Sequence, residues 1–221
     1  MPMRRIRDEV TNEIALLLHC EGSNGNAFFT DDSLESNGIT RGGNAAHSTA
    51  QFKFGSSSVL FDGNGDFLAT KALGLKNTDF TLEAWVRFAS VATDQILLST
   101  YNQAGYQANT VTLSLMSGKL NGSNGLAGGN VSGSTNLIAN NWYYVALTYT
   151  YLTSTIRIYL NGILEGSIVG SVGTEAPFFW MGGSLNDNNI GSRWFNGHMD
   201  EIRVSRKVQG ISTPSAPFPN P

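Results

Sequence analysis

The stretch NNWYYVALTYTYLTSTIRIYLNGILEGSI, residues 140–168, decides the fold. Trp142 to Tyr151 is dense in aromatic and β-branched residues, the types that suit a pleated, half-buried surface. Leu152-Thr153-Ser154 is a short polar break. In Thr155 to Leu160, Ile156, Ile158 and Leu160 fall on one face and Arg157 and Tyr159 on the other, the period of two of a strand. Asn161-Gly162 follows, a strong hairpin signal because both positions accept positive φ. Ile163 to Val169 then returns. A meander of this kind buries one face and needs a second layer to cover it.

Working outward, the same grammar continues. Asp79 to Ala89 alternates Phe80, Leu82, Ala84, Val86 and Phe88 against Thr81, Glu83, Trp85 and Arg87. Ile14 to Cys20 is the first strand, with Cys20 a small buried apolar residue. Glu21 to Ala50 reads as a long Gly/Asn/Ser/Asp loop. Gln51–Gly55, Ser58–Phe61, Phe67–Ala69, Gln95–Tyr101, Val111–Met116, Phe178–Gly182 and Met199–Ser205 read as further strands. Ser117 to Asn141 reads as loop with two brief strands. Among 221 residues only 14% are charged while 25 are glycine, a mix for many strands and turns rather than helices. The expected fold class is all-β, a two-sheet antiparallel sandwich. The expected divisions are an N-terminal arm 1–13, one domain 14–208, and a Pro-rich tail 209–221.

Composition also narrows function. A net charge of −3 gives no basic field for nucleic acid. The longest apolar run near the start is too short for a signal core or a membrane span, which predicts folding in a reducing cytoplasm and no membrane insertion. The single cysteine excludes an intramolecular disulfide. The chain lacks a Gly-x-Ser-x-Gly elbow, a phosphate-cradling Gly-Lys-Ser/Thr loop and Cys/His zinc spacing. His19, His47 and His198 lie in unrelated contexts, and His19 reads as a packing residue. Glu83 stands alone on its strand. Asp200 and Glu201, as neighbours, are expected to face opposite ways.

Five segments in order resemble the laminin G-like, concanavalin A-like jelly-roll domains: Leu16-Leu17-Leu18-His19 with Cys20-Glu21-Gly22; Lys53-Phe54-Gly55 with Val59 to Gly63; Asp79 to Arg87; Trp142 to Thr148 with Ile156 to Gly162; and Phe195 to Val204. The ending, Asp200-Glu201-Ile202-Arg203 followed by Thr213 to Pro219, is similar to such domains in tailed-bacteriophage structural proteins. Glycosidases on this sandwich resemble one another in a Glu-x-Asp-x-x-Glu strand, which is missing here; the protein is therefore expected not to be an enzyme.

The resemblance implies a virion surface protein, a capsid decoration or a tail or fibre component. It would be assembled in the host cytoplasm and held to other virion proteins through the arm and the tail, as a homo-oligomer, with host glycans as further partners. It also implies one calcium ion tying the first loop to the last strand. By position its ligands are Glu21, a carbonyl near Gly42 and Asp200, with Asp31, Asp32, Asp62 and Asp66 as weaker candidates. A stand-alone bacterial calcium-dependent lectin is the alternative. Sugar binding needs aromatic faces with polar groups around them; Tyr101, Tyr106, Trp180 and Trp194 lie in or beside polar loops and are the glycan-binding candidates. Trp85, Trp142 and Phe195 are assigned to the core.

Overall fold

The computed structural model describes residues 13–100, 110–124, 129–172, 177–183 and 193–221. Fifteen strands follow one another among these residues. They are β1 (Ile14–Leu18), β2 (Thr40–Gly42), β3 (Ala46–Ser48), β4 (Ser58–Asp62), β5 (Phe67–Lys71), β6 (Phe80–Phe88), β7 (Gln95–Ser99) and β8 (Thr112–Met116). Then come β9 (Lys119–Ser123), β10 (Asn130–Asn136), β11 (Trp142–Thr150), β12 (Thr155–Leu160), β13 (Ile163–Val169), β14 (Phe178–Met181) and β15 (Asn196–Ser205). They form two antiparallel sheets. Sheet A runs β13-β12-β11-β6-β15-β4-β3 with β1 also on β15, and sheet B runs β10-β9-β8-β7-β14-β5-β2.

The meander of residues 140–168 is one half of sheet A. Asn161 and Gly162 take φ of 48° and 78°, the paired positive values of a tight hairpin turn. The main core lies between the sheets, where Phe61, Phe80, Phe88, Val145, Leu147, Ile156, Ile158 and Phe195 meet Leu68, Leu97, Leu113, Leu115 and Phe179. Trp85 and Phe195 are buried as expected, but Trp85 faces away from this core, in a second cluster on the outer face of sheet A.

Three expectations are corrected. Gln51–Gly55 is a loop, not a strand, its Lys53 and Phe54 amides being claimed by the Asp200 side chain rather than by a neighbouring strand. The segment 21–50 contains β2 and β3, each three residues long and too short to show a period. Asp200 and Glu201 do not alternate. Glu201 takes φ 49° and the pairing of β15 with β6 slips between Asp200 and Arg203. Met199 and Ile202 consequently both reach the core, and the two acidic residues between them both lie off it.

The bulge falls where β15 changes neighbours: Asn196–Met199 pair with β4, and Ile202–Ser205 with β1. The 51–57 loop meets β15 in the gap, where Asp200 Oδ2 accepts from the amides of Lys53 (2.7 Å) and Phe54 (3.1 Å). The Pro-rich tail folds back over sheet A of its own chain. Phe218 is buried with Leu17, Trp85, Tyr144 and Ala146, and its ring lies 3.8 Å from the Arg203 guanidinium. Beneath it, Glu83 is paired with Arg203 (2.7 Å) and accepts from the Tyr144 hydroxyl. Among the described residues, no helix is long and apolar enough to cross a membrane.

Candidate functional site

β1 ends at Leu18, and the chain then leaves the sheet sharply, with Cys20 at φ 61°. The Cys20 carbonyl accepts from Ser57 Oγ (2.9 Å) and meets His47 Nδ1 at 3.0 Å, so the turn is fixed from two sides. Segments distant in sequence converge here: residues 18–21, 29–32, His47, Gly55, Glu201 and 217–220. They enclose a pocket of about 420 Å³, inside the ~300–1,000 Å³ range of ordinary small-ligand sites. His19, Glu21, Phe29, Asp32, Glu201 and Phe218 are among its walls.

His19 clasps the two sides together. Its Nδ1 lies 2.8 Å from Glu201 Oε1 and its Nε2 2.8 Å from Asn220 Oδ1. Both partners accept, so both contacts are satisfied by a doubly protonated ring. Burial alone would lower the His19 pKa; the bonds to Asn220 and Glu201 and the charges of Glu201 and Asp32 outweigh it and raise the value. Glu201 is raised by burial, against the pull of the Phe218 amide (2.7 Å) and of His19. Phe29 stacks on the His47 ring with centroids 4.5 Å apart. His19 is therefore not a simple packing residue.

Glu21 forms the floor beside the 51–57 loop. Its carboxylate accepts from Ser56 N (3.0 and 3.1 Å) and Ser56 Oγ (2.6 Å). It also lies flat on Gly55, where a Cβ would come within 1.7 Å of Oε1 and φ is +63°. Only glycine satisfies both conditions.

The calcium set separates. Asp200 grips the Lys53 and Phe54 amides and Glu21 the Ser56 amide of one loop, whereas Gly42 sits on β2 in sheet B against Phe67. Asp31 is consumed by Leu17 N, Ser33 N and Asn37; Asp66 by Asn44 N and Asp62 N. Among the described residues no group of three His, Cys, Asp or Glu side chains is arranged to hold a metal. Asp200 Oδ1 is buried and has no hydrogen-bond partner, and burial pushes this carboxyl up to about 7.

Of the aromatic candidates, Tyr101 and Tyr106 lie outside the described residues. Trp180 is 2% exposed, packed between Phe67 (5.2 Å) and Phe178 (5.8 Å) on the outer face of sheet B. That corrects its assignment as an exposed stacking surface. Trp194 is half-buried and stacks on Phe67 at 6.4 Å. The hollow beside this group measures about 160 Å³, well below the pocket at the end of β1.

Sequence reading missed the pocket itself. Phe29, His47, Glu201, Phe218 and Asn220 were not singled out for it. One signal was present: Phe218 is the only aromatic in the Pro-rich tail, the pattern of an anchor.

Residues 62–209 match the family model described as the concanavalin A-like lectin/glucanases superfamily. No curated protein matches the chain. Among solved structures, the binding domain of Paraclostridial Mosquitocidal Protein 1 superposes with a TM-score of 0.66 at 14% identity, covering 89% of this chain and 49% of that one. Domain 4 of AbnA, an extracellular arabinanase from Geobacillus stearothermophilus, was solved in complex with arabinotriose; it gives a TM-score of 0.64 at 16% identity, covering 92% and 95%. The binding domain of botulinum neurotoxin DC in complex with SialylT gives 0.63 at 14%, covering 90% and 49%. The chain thus spans about half the length of the toxin binding domains it matches. At these identities the likeness is one of fold.

Proposed function

Because the chain belongs to the concanavalin A-like lectin/glucanases superfamily, we propose that it is a non-enzymatic glycan-binding module with its site in the pocket at the end of β1. The observation that carries this reading is the lining: carboxylates, imidazoles, an amide and a hydroxyl around two phenylalanine rings in a concave space of about 420 Å³. Planar polar groups orient sugar hydroxyls, and apolar rings cover the C–H faces. The fold shared with AbnA domain 4, which carries arabinotriose, supports the reading.

Binding is favoured over hydrolysis because two of the pocket's three carboxylates are occupied, which leaves Asp32 without the second free carboxylate that glycoside hydrolysis needs. Both oxygens of Glu201 are bonded, to His19 and to the Phe218 amide, and both oxygens of Glu21 to Ser56. A general acid or base needs an oxygen that reaches the substrate proton, whereas a bonded carboxylate oxygen keeps a lone pair for a sugar hydroxyl. A glycan array with the full chain, followed by incubation of any bound glycan, tests both parts. Saturable binding without cleavage is expected. Silence on every glycan removes the proposal, and release of product removes its non-enzymatic part.

The proposed setting is the surface of a tailed-phage particle, as capsid decoration or tail component, assembled in the host cytoplasm. It rests on the resemblance of Asp200–Pro219 stated above. The tail's packing on its own domain shifts the expected attachment to the arm, residues 1–13. Immunogold labelling of particles tests this setting, and absence from virions rules it out. The alternative, a stand-alone bacterial lectin, gains support from the orphaned Asp200 Oδ1. Asp200 and Glu21 would hold a calcium ion beside the pocket, with backbone carbonyls completing the six to eight oxygens such an ion takes, and the ion would stiffen the 51–57 loop. Chelator-sensitive binding by a chain absent from particles would favour that reading.

A further inference from the structure

Resting on the glycan reading, we infer that the pocket at the end of β1 selects uncharged and amino sugars and rejects glycans carrying carboxylate or sulfate. Three carboxylates line it, those of Glu21, Asp32 and Glu201, and the described lining residues include no lysine or arginine. Even with both His19 and His47 protonated, the acids outnumber the imidazoles. Two cations on the same side of the sandwich are engaged with other groups: Arg203 is paired with Glu83 and lies over the Phe218 ring, and Lys53 lies 3.9 Å from the Trp85 ring. Among the described lining residues no lysine or arginine is therefore placed to neutralise an incoming anion.

The arrangement also excludes relief by rearrangement. Glu201 is pinned by His19 and by the Phe218 amide, and Glu21 by Ser56 and the surface of Gly55. Neither can swing away from an anionic ligand without losing bonds that hold the tail and the 51–57 loop. A ligand carboxylate entering this partly buried space meets fixed like charge in a medium less screening than water. An ammonium group meets the opposite, and a neutral ring finds acceptors for its hydroxyls with Phe29 and Phe218 beside it. Asp32 is the movable member. It is exposed, and among the described residues its carboxylate accepts one long bond, from the His19 amide at 3.4 Å; its own amide donates to the Leu17 carbonyl (2.7 Å), a main-chain bond that a side-chain change keeps, so it can be changed without disturbing the fold.

The test compares matched glycans on the full chain: a neutral oligosaccharide, its amino counterpart, and sialylated, uronic and sulfated forms of the same core. Neutral and amino forms are expected to bind at least about tenfold more tightly than the anionic ones. In Asp32→Lys that gap is expected to shrink, with the thermal midpoint unchanged as a folding control. Equal binding of anionic and neutral forms overturns the selectivity while leaving the glycan reading intact. A gap that is unaltered in Asp32→Lys also overturns it, since the ligand would then sit elsewhere. Absence of binding to every member of the panel overturns the glycan reading and this inference with it.

Discussion

At the scale of single residues, the last strand concentrates the unusual chemistry. His198, Asp200 and Glu201 lie within four positions of β15, and each is held away from its ordinary titration by burial. His198 is the clearest case. Burial, then the neighbouring Arg87 charge, lowers its pKa to about 4, and Ser58 Oγ lies 3.0 Å from Nδ1. The unfolded chain takes up this proton from about pH 6.5 downward, while the folded one resists it until about 4. Stability contributed by neutral His198 is therefore complete above pH 6.5 and is lost as pH falls through that window. The raised pKa values of Asp200 and Glu201 act in the opposite sense, so the comparison must be differential. Wild type is expected to lose roughly 2 kcal/mol more than His198→Gln between pH 6.5 and 4. Urea titrations at several pH values check this, and parallel profiles would contradict it.

At the scale of elements, the sandwich is closed by side chains that cross from one piece to another. Glu165 on β13 reaches to β10 of the opposite sheet, accepting from Ser134 N (2.6 Å), Thr135 N (3.0 Å) and both hydroxyls. Burial would raise its pKa, but the bonds from Thr135 and Ser134 prevail and lower it. An acidic residue fastened between two edge strands also discourages pairing with another chain. Glu165→Ala is expected to cost about 1 kcal/mol, discounted for its exposure, with faster amide exchange in β10 and β13 but not in β6. The tail is the second such element. It carries no ladder bonds of its own, and its purchase is Phe218, Ile211 and the contacts to Glu201 and His19. Phe218→Ala removes the anchor, at about 2–4 kcal/mol of docking. The expected readout is release of residues 209–221 to carboxypeptidase at a temperature where the sandwich persists; resistance equal to wild type would show that the prolines alone hold the segment.

At the scale of the whole molecule, how much was legible depended on how local each signal is. The meander of residues 140–168 and the strand 79–89 were readable because hydrophobic alternation and an Asn-Gly turn are encoded within each stretch. The bulge at Glu201 was not, because a glutamate in the left-handed region leaves no mark on a pattern of alternation. Nor was the pocket, whose walls come from segments separated by up to about two hundred residues along the chain. Trp180 illustrates the converse: its polar sequence neighbours suggested exposure, but Phe67 and Phe178 close over it in space. Asp200 and Glu21 were singled out by position alone, while their link through the 51–57 loop needed the fold. That link yields a molecule-wide prediction. Calcium at about a hundred times its dissociation constant would add ~2.7 kcal/mol to stability, a rise in thermal midpoint of roughly 5–10 °C for a chain this size. Asp200→Asn should abolish the rise, and a midpoint indifferent to calcium in wild type would dismiss the ion.

The seating of Pro217, Phe218 and Asn220 in the pocket wall carries a practical corollary for anyone labelling or displaying this module. Whatever is joined after Pro221, a reporter, an affinity handle or another polypeptide, starts one residue beyond Asn220 of the cavity wall. The β12–β13 turn at Asn161-Gly162, which does not line the pocket, offers a less obstructive point of attachment, although residues 212–213 pass close beside it.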